Sequence, residues 1–384
     1  MRIFSRLTGI LFAACVVFLI IHFLWASAGR SDAAIKPFDA ALAASESSGA
    51  DAGKGNLLGV QPWLVPQDYA NPATLAAKFS AYLQAARDKG WLTDKTIAVF
   101  PEYTGTWLIA AGEKRSIYTE PSSEAAMTTV ALTHLPEFGW RLLNAPPVKD
   151  KVKWALFSLK GKQAAADYQQ VFGALAKKYG ITIVAGSIVL PSPELIDGKI
   201  VVQEGRTLYN VTAVFAPDGN VIAPLVVKVF PIPDELEFTG TGSTDGLPVF
   251  NTAAGKLGVL ICADAWYPAN YAALKKAGAE LLAVPSFSSH DQVWSTLWGG
   301  YIGAPQPADV DSADIGKITE GDAWMKYAIP MRTQAAGMKA GLNVFLRGAM
   351  WDLGSDGATI WVSGTETGKG TMVKGAALTN LWLQ

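Results

Sequence analysis

The feature that most constrains the fold is a series of short, mainly apolar segments that alternate with segments of helical periodicity. Apolar segments bounded by turn residues are typical of buried strands, and here they occupy residues 56–61, 96–100, 181–187, 208–219, 223–227, 258–262 and 277–286. Helices are predicted over residues 71–86, 163–178, 269–277 and 324–340. Strands that alternate with helices along a chain predict packed α/β layers.

Three of the predicted strands lead to a residue with a reactive side chain. Glu102, Lys228 and Cys262 each lie at or near the end of an apolar segment. Cys262 is the only cysteine outside the N-terminal apolar stretch, which holds Cys15. A thiol at the end of a buried strand is where an α/β enzyme would place a nucleophile. The alternative is a buried structural cysteine, because a free thiol packs like a small hydrophobic group.

In this order the three motifs resemble the Glu-Lys-Cys set of the nitrilase, or carbon–nitrogen hydrolase, superfamily. Glu102 follows Phe-Pro, and Lys228 is followed by Pro231 three positions on and by Glu235 seven positions on. Cys262 ends a Gly-Val-x-Ile-Cys motif. Any one of these motifs is weak, but all three in the same order form a specific pattern.

The resemblance covers roughly residues 56–350 and implies a four-layer α-β-β-α sandwich. It also implies that Cys262 is the nucleophile that forms a thioester, with Glu102 as general base and acid. Lys228 and the backbone N–H of Ala263 would stabilise the oxyanion. The resemblance implies no cofactor. Ala-Asp follows Cys262, where nitrilases tend to have Trp-Glu, and this difference favours an amide substrate over a nitrile.

Four further residues are candidates for binding the substrate. In the resemblance, Glu235 matches a second glutamate beside the lysine, and a solvated loop charge is the alternative interpretation. Tyr103, Trp107 and Trp266 flank the motifs and are candidates for lining an acyl pocket, with ordinary core packing as the alternative. Asp264, two residues after the cysteine, is expected to cap the helix that follows.

The residues leave three classes of function open. The leading hypothesis is hydrolysis of a non-peptide amide bond in a small molecule. An acyltransferase, similar to the extracytoplasmic domain of apolipoprotein N-acyltransferase, would pass the acyl group from the thiol to an amine. A non-catalytic binding module is the third. A net charge of −1 with scattered charges argues against nucleic acid. The histidines His22, His134 and His290 form no helically spaced pair of metal ligands, so no metal site is predicted.

The N-terminus carries a membrane-targeting pattern. Arg2 and Arg6 precede an apolar run at residues 7–25, which is close to the ~20 residues that span a bilayer. Ala-Ser-Ala at residues 26–28 also fits a cleavage site. Residues 1–28 are therefore predicted to be a signal anchor or a cleaved signal peptide. Positive charges before an apolar segment stay cytoplasmic, so the domain is expected outside the cytoplasmic membrane.

Behind this segment the chain divides into a linker and one domain. Residues 29–55 are rich in Ala, Ser, Gly and Asp and are predicted to be a flexible linker. Residues 56–384 are predicted to form the carbon–nitrogen hydrolase domain. Residues 106–160 and 288–323 look inserted relative to the family, and the aromatic residues of the second segment favour an ordered cover over the site. A homo-oligomer stays an open alternative.

Overall fold

The computed structural model describes residues 2–30 and 38–384, and this part of the chain folds into two sheets with helices on their outer faces. Its α-helices are α1 Arg2–Ser27, α2 Pro72–Asp88, α3 Ser123–Thr133, α4 Leu135–Leu143, α5 Lys151–Tyr179, α6 Pro233–Leu236, α7 Pro268–Lys276, α8 Glu320–Tyr327 and α9 Ile329–Ala335. Its strands are β1 Leu42–Ser48, β2 Asn56–Gln61, β3 Trp63–Leu64, β4 Thr96–Val99, β5 Thr182–Pro191, β6 Glu194–Ile196, β7 Lys199–Val201, β8 Leu208–Phe215, β9 Val221–Val227, β10 Val249–Thr252, β11 Gly255–Val259, β12 Leu281–Ser286, β13 Ser288–Ser289, β14 Ala340–Phe345, β15 Arg347–Gly348, β16 Ser355–Asp356, β17 Ile360–Ser363, β18 Glu366–Lys369 and β19 Ala376–Trp382.

Both large sheets have a parallel centre with antiparallel strands outside it. Within the described residues, the first sheet has the order β1-β19-β2-β4-β5-β8-β9, and the second has the order β10-β11-β12-β14-β17-β18. Strands β2, β4 and β5 run parallel, as do β11, β12 and β14. Because parallel strands end at the same edge of a sheet, residues that follow them are brought close together.

The first sheet is buried on both faces, and its side chains alternate between them. Ile97 and Val99 of β4 pack into the core shared with the second sheet. Phe100 points the other way, where its ring centroid lies 4.9 Å from that of Phe79 in α2 and 5.2 Å from that of Phe172 in α5. Since successive side chains of a strand point to opposite faces, continuous apolar strands are what a sheet covered on both sides requires.

Two glycines allow helices to pack closely on the outer face of the second sheet. A Cβ atom added at Gly258 in β11 would lie 2.9 Å from a methyl carbon of Leu274 in α7. One added at Gly341 in β14 would lie 3.3 Å from Thr333 in α9. Helices α2 and α5 thus cover the first sheet, and α7 and α9 cover the second. The predicted α-β-β-α sandwich is confirmed.

The helix predicted over residues 324–340 is wrong. The chain forms α8 and α9 there, with a break at Ala328 (φ −105°, ψ −121°) just before Pro330. Pro330 has no backbone N–H and its ring clashes with the preceding turn, so one helix does not continue through it, whereas proline fits the first turn of a new helix. Gly337 has a left-handed φ of 68°, and the chain then enters β14. The helix predicted at residue 163 also begins earlier, at Lys151, because the Asp150 side chain accepts a hydrogen bond from Lys153 N (2.8 Å).

The flexible linker predicted for residues 29–55 is wrong in one part. Residues 42–48 form β1, which pairs in parallel with β19 and thereby becomes the edge strand of the first sheet. An unpaired edge presents a row of backbone donors and acceptors that another strand can satisfy, and a composition rich in small residues does not reveal such pairing. Residues 31–37 of the predicted linker lie outside the described residues.

Candidate active site

The three predicted catalytic side chains meet where strands of the two sheets end. Glu102 follows β4, Lys228 follows β9, and Cys262 follows β11 of the facing sheet. The Lys228 Nζ atom lies 2.7 Å from Glu102 Oε1, and the Cys262 thiol lies close enough for both charges to affect its pKa. Their exposed fractions are 1%, 2% and 8% in chain order. The structure therefore brings together an amine, a carboxylate and a thiol in a site closed to bulk water.

A tight turn holds Glu102 in position. Tyr103, the next residue, has a φ of 60°, which few non-glycine residues adopt. Its backbone N–H donates to Ser187 Oγ (2.9 Å). A Cβ atom at Gly186 would lie 2.1 Å from the carbonyl oxygen of Pro101, so only glycine fits behind the turn. Backbone conformations of this kind persist where the surroundings over-determine them.

Cys262 lies on a second strained turn. Its φ is 50°, and it begins the 3-10 helix Cys262–Trp266. The thiol lies 3.5 Å from the carbonyl oxygen of Phe287. Ala263 is in the first turn of the same helix, where backbone N–H groups lack helical acceptors. The turn therefore presents the thiol together with the backbone donor that the sequence analysis assigned to the oxyanion.

Asp264 does not cap the following helix, as the sequence had suggested. Its carboxylate turns back and accepts hydrogen bonds from the backbone N–H groups of Val229 (3.0 Å), Phe230 (2.7 Å) and Ile261 (3.2 Å). Helix α7 has Tyr267 at its N-cap, without a side-chain cap. Burial raises the pKa of Asp264 to about 7, although the backbone donors lower it. Asp264 thus ties the loop after Lys228 to the turn that carries the thiol.

Glu235 is a buried member of the site, so its interpretation as a solvated loop charge is wrong. Its Oε2 atom lies 2.6 Å from Lys228 Nζ, and its Oε1 atom accepts a 2.5 Å hydrogen bond from Tyr103 OH. Lys228 therefore lies between two carboxylates, and Tyr103 orients the second of them.

Asn210 is a site residue that the sequence analysis did not single out. From the middle of β8, its Nδ2 atom donates to Glu102 Oε1 and to Glu235 Oε1, both at 2.9 Å. The available signal was a polar amide inside the mainly apolar segment at residues 208–215. Buried polar side chains need hydrogen-bond partners, so an amide in such a strand points to a polar site at its end.

Burial and charge together set the protonation states of the site. Burial raises the pKa of the Glu102 carboxyl, and Lys228 offsets this only in part. Burial and the neighbouring Glu102 charge also raise the pKa of the Cys262 thiol, which is therefore protonated at rest. Burial favours the neutral amine of Lys228, but the carboxylates of Glu102 and Glu235 outweigh it and raise the lysine pKa. Burial likewise opposes the charge of Glu235, yet Lys228 and its hydrogen bonds lower the pKa of that carboxyl.

Trp107 and Trp266, the two predicted pocket tryptophans, have different surroundings. The Trp266 ring, four residues after the thiol, stacks on Trp298 with centroids 5.8 Å apart and meets Trp324 edge-on at 4.7 Å. Trp298 belongs to the segment predicted as a cover, and it is buried. Trp107 packs edge-on against Trp351 at 5.3 Å, which agrees with the core-packing alternative. The segment at residues 288–323 therefore packs as an ordered aromatic layer against the cysteine turn.

Residues 70–300 match the carbon-nitrogen hydrolase family, which is more than half of the chain. The chain therefore belongs to that family, as the three motifs had indicated. In the part of the chain that the structure describes, no group of three or more His, Cys, Asp or Glu side chains is arranged to hold a metal ion.

Individual relatives are distant. The omega-amidase NIT2 of Danio rerio is 28% identical over 173 residues, which are 44% of this chain and 53% of that protein. The probable hydrolase YhcX of Bacillus subtilis (strain 168) is 29% identical over 126 residues, 33% of this chain and 22% of that protein. The matched part thus spans between about a fifth and a half of these curated relatives. A double mutant of the amidase from Nesterenkonia sp. AN1, in complex with acrylamide, shares the fold with a TM-score of 0.51 and 15% identity, over 87% of this chain and 93% of that chain.

Proposed function

We propose that the protein hydrolyses a non-peptide amide bond of a small molecule through a thioester on Cys262. The observation that carries this proposal is the buried network in which Lys228 bridges Glu102 and Glu235 beside the thiol. Burying three charges is costly unless they are paired. The network is therefore hard to explain as structure alone, and this argues against a non-catalytic binding module.

The protonation states support a definite sequence of proton transfers. The resting thiol is neutral, so Glu102 takes its proton as Sγ attacks the carbonyl carbon. The oxyanion is stabilised by the Lys228 ammonium and by the Ala263 N–H. When the C–N bond breaks, Glu102 returns the proton to the leaving amine. It then takes a proton from water, the hydroxyl adds to the thioester, and the acid product leaves as the thiol is reformed.

Three other residues position this machinery. Glu235 keeps Lys228 charged, while Tyr103 and Asn210 hold the carboxylates through hydrogen bonds. An amide rather than a nitrile is proposed because Ala-Asp follows the cysteine, where nitrilases tend to have Trp-Glu.

We also propose that the enzyme is tethered to the membrane and exported. Residues Gly9–Ser27 of α1 have a mean hydropathy of 2.5 and are almost entirely exposed. Two contacts favour an uncleaved anchor, because cleavage after residue 28 would sever α1 from the domain. Lys114 Nζ donates to the carbonyl oxygens of Trp25 (2.5 Å) and Ala28 (2.7 Å), both of which lie on the segment that cleavage would remove. A reporter that is active only outside the cytoplasm should therefore be active when it is fused after Gln384. The purified protein should keep its N-terminal segment.

The acyltransferase is the second candidate function. It is favoured by α1, which would hold the domain beside lipid-linked acyl donors. The same thioester would form, and an amine rather than water would accept the acyl group. Product analysis with and without an added amine separates the two functions.

The thioester can be tested by mass spectrometry of the intact chain incubated with a panel of small amides. An acyl adduct should form on Cys262 and accumulate in Glu102→Gln if that variant still acylates slowly. The adduct should be absent in Cys262→Ala and unchanged in Cys15→Ala, which removes the other thiol. Undiminished turnover by Cys262→Ala would refute the proposal.

A further inference from the structure

Helix α4 presents an apolar surface to solvent in addition to its buried one. Phe138 is buried in the core of the first sheet. On the outward side, Pro136, Gly139, Trp140 and Leu143 follow the i, i+3, i+4, i+7 spacing of one helix face. Trp140 is 69% exposed and Leu143 is 85% exposed. A surface helix of a globular domain normally turns its polar residues outward. We therefore expect this apolar face to be covered by another apolar surface.

This face is fixed next to the end of α1. Helices α3 and α4 are separated only by His134, which lies 2.8 Å from the carboxylate of Glu113. Glu113 also pairs with Arg30, directly behind the anchor. Within α1 itself, His22 Nε2 lies 2.8 Å from the carbonyl oxygen of Leu132 at the end of α3. Helix α1 is therefore held against the junction between α3 and α4, from which the apolar face of α4 begins.

The His22 contact also gives the depth of that surface. His22 precedes Ser27, the last residue of α1, by five residues, or about 7.5 Å along a helix axis. Interfacial amphipathic helices bury their apolar face about 5–10 Å into the boundary between headgroups and acyl chains. Leu132 and Leu135, both exposed, therefore lie at the level where such a helix is found.

We propose that α4 lies in the outer interface of the bilayer, with Trp140 and Leu143 inserted among phospholipid headgroups and upper acyl chains. Tryptophan is enriched at this level because its ring is apolar and its N–H is polar. The inference rests on the proposed membrane tether. Its consequence is a second attachment to the membrane beside α1, which fixes the orientation of the catalytic domain on the bilayer.

The test uses the full chain in vesicles of phosphatidylcholine and phosphatidylglycerol, with a nitroxide at one cysteine at a time. The native Cys15 reports on the anchor. In a Cys15→Ala background, Leu143→Cys reports on α4, and Leu297→Cys is the matched control, an exposed leucine (63%) on the side of the second sheet. The unsubstituted Cys15→Ala chain corrects for labelling of the buried Cys262. Accessibility to oxygen and to a water-soluble nickel complex is measured by electron paramagnetic resonance.

We expect the Leu143→Cys label to be accessible to oxygen and protected from nickel, at a shallower depth than Cys15, while the Leu297→Cys label stays open to nickel. A lipid-protected Cys15 with a Leu143→Cys label open to nickel would overturn the α4 contact and leave the anchor intact. Protection from both reagents with dipolar broadening would show a second copy of the chain on this face, and would also overturn it. A nickel-accessible Cys15 would refute the tether and the inference together.

Discussion

Replacing Lys228 with methionine tests two roles of one ammonium group, as a counter-charge for buried carboxylates and as the proposed cation for the oxyanion. Lys228 is the counter-charge of two buried carboxylates, at 2.7 Å from Glu102 and 2.6 Å from Glu235. It is also the proposed cation for the oxyanion. Methionine keeps the length and apolar bulk of the side chain while removing the charge, so the variant tests the charge alone.

The expected effects follow from the charge of the site. Two carboxylates and one ammonium give a net charge of −1, and Lys228→Met leaves −2 in a buried volume. Breaking a buried ion pair typically costs about 3–5 kcal/mol of stability, and loss of one oxyanion donor costs about 10²–10³ in kcat. We therefore expect turnover at least ~100-fold lower, together with a marked loss in the free energy of unfolding.

The double variant Lys228→Met, Glu235→Gln distinguishes the roles. It restores the net charge of −1, so we expect it to recover much of the lost stability. It has no cation for the oxyanion, so kcat should stay at the level of the single variant. The two substitutions should therefore combine non-additively in stability, and the double variant should turn over no faster than Lys228→Met.

Lys78→Met is the matched control. Lys78 is also buried, and its Nζ atom pairs with Asp68 at 2.7 Å. It should lose stability of the same order with kcat unchanged. Turnover is measured as amine release from an amide identified with the wild type, and stability is measured by denaturant unfolding in detergent. Wild-type kcat in Lys228→Met, or full kcat in the double variant, would refute the oxyanion role.

Three further predictions test neighbouring groups. Cys262→Ser should be nearly inactive in the same amine-release assay, because a serine hydroxyl is far less acidic than a thiol, whereas Cys15→Ser should keep the full rate. Asn210→Asp adds a third carboxylate to the site, beside Glu102 and Glu235, and should raise the pKa of Glu102. The acidic limb of the pH profile of kcat/KM should therefore move to higher pH. A limb that does not move would contradict the role of Glu102 as the base. Glu113 has a pKa lowered from 4.5 to about 2, because hydrogen bonds and charge from His134 and Lys160 outweigh burial. The unfolded chain therefore binds more protons in this window, and Glu113 should contribute about 3 kcal/mol of stability above pH ~4.5 that is lost as pH falls toward 2. The difference in unfolding free energy between wild type and Glu113→Gln should narrow over that window, and a pH-independent difference would refute the assignment.

The sequence predicted that Glu102, Lys228 and Cys262 come together because each is placed by a local feature. Glu102, Lys228 and Cys262 lie within three residues of the ends of apolar strands, two in the first sheet and one in the facing sheet. Strands that run in one direction carry the residues after them to the same edge of a sheet. Topology then brings them together without further information. The break between α8 and α9 had a local signal in Pro330, which the helical pattern around it outweighed in the sequence analysis. The pairing of β1 with β19 had none, since these strands lie more than 300 residues apart.

The supporting residues were harder to predict because their roles depend on partners that are distant in the chain. Asp264 follows the thiol, and its position alone suggested a helix cap. Its acceptors are instead satisfied by backbone donors of Val229 and Phe230, more than 30 residues away. Glu235 was ambiguous for a related reason, since a carboxylate in a Pro-rich loop is usually solvated. Only the buried ammonium of Lys228, which lies 2.6 Å from Glu235, makes a second buried carboxylate favourable. Without Glu235, the Lys228–Glu102 pair would carry no net charge, and a proton could pass more easily from the Lys228 ammonium to the Glu102 carboxylate. With Glu235 present, the lysine stays charged, and this leaves Glu102 available for the proton transfers of the proposed mechanism.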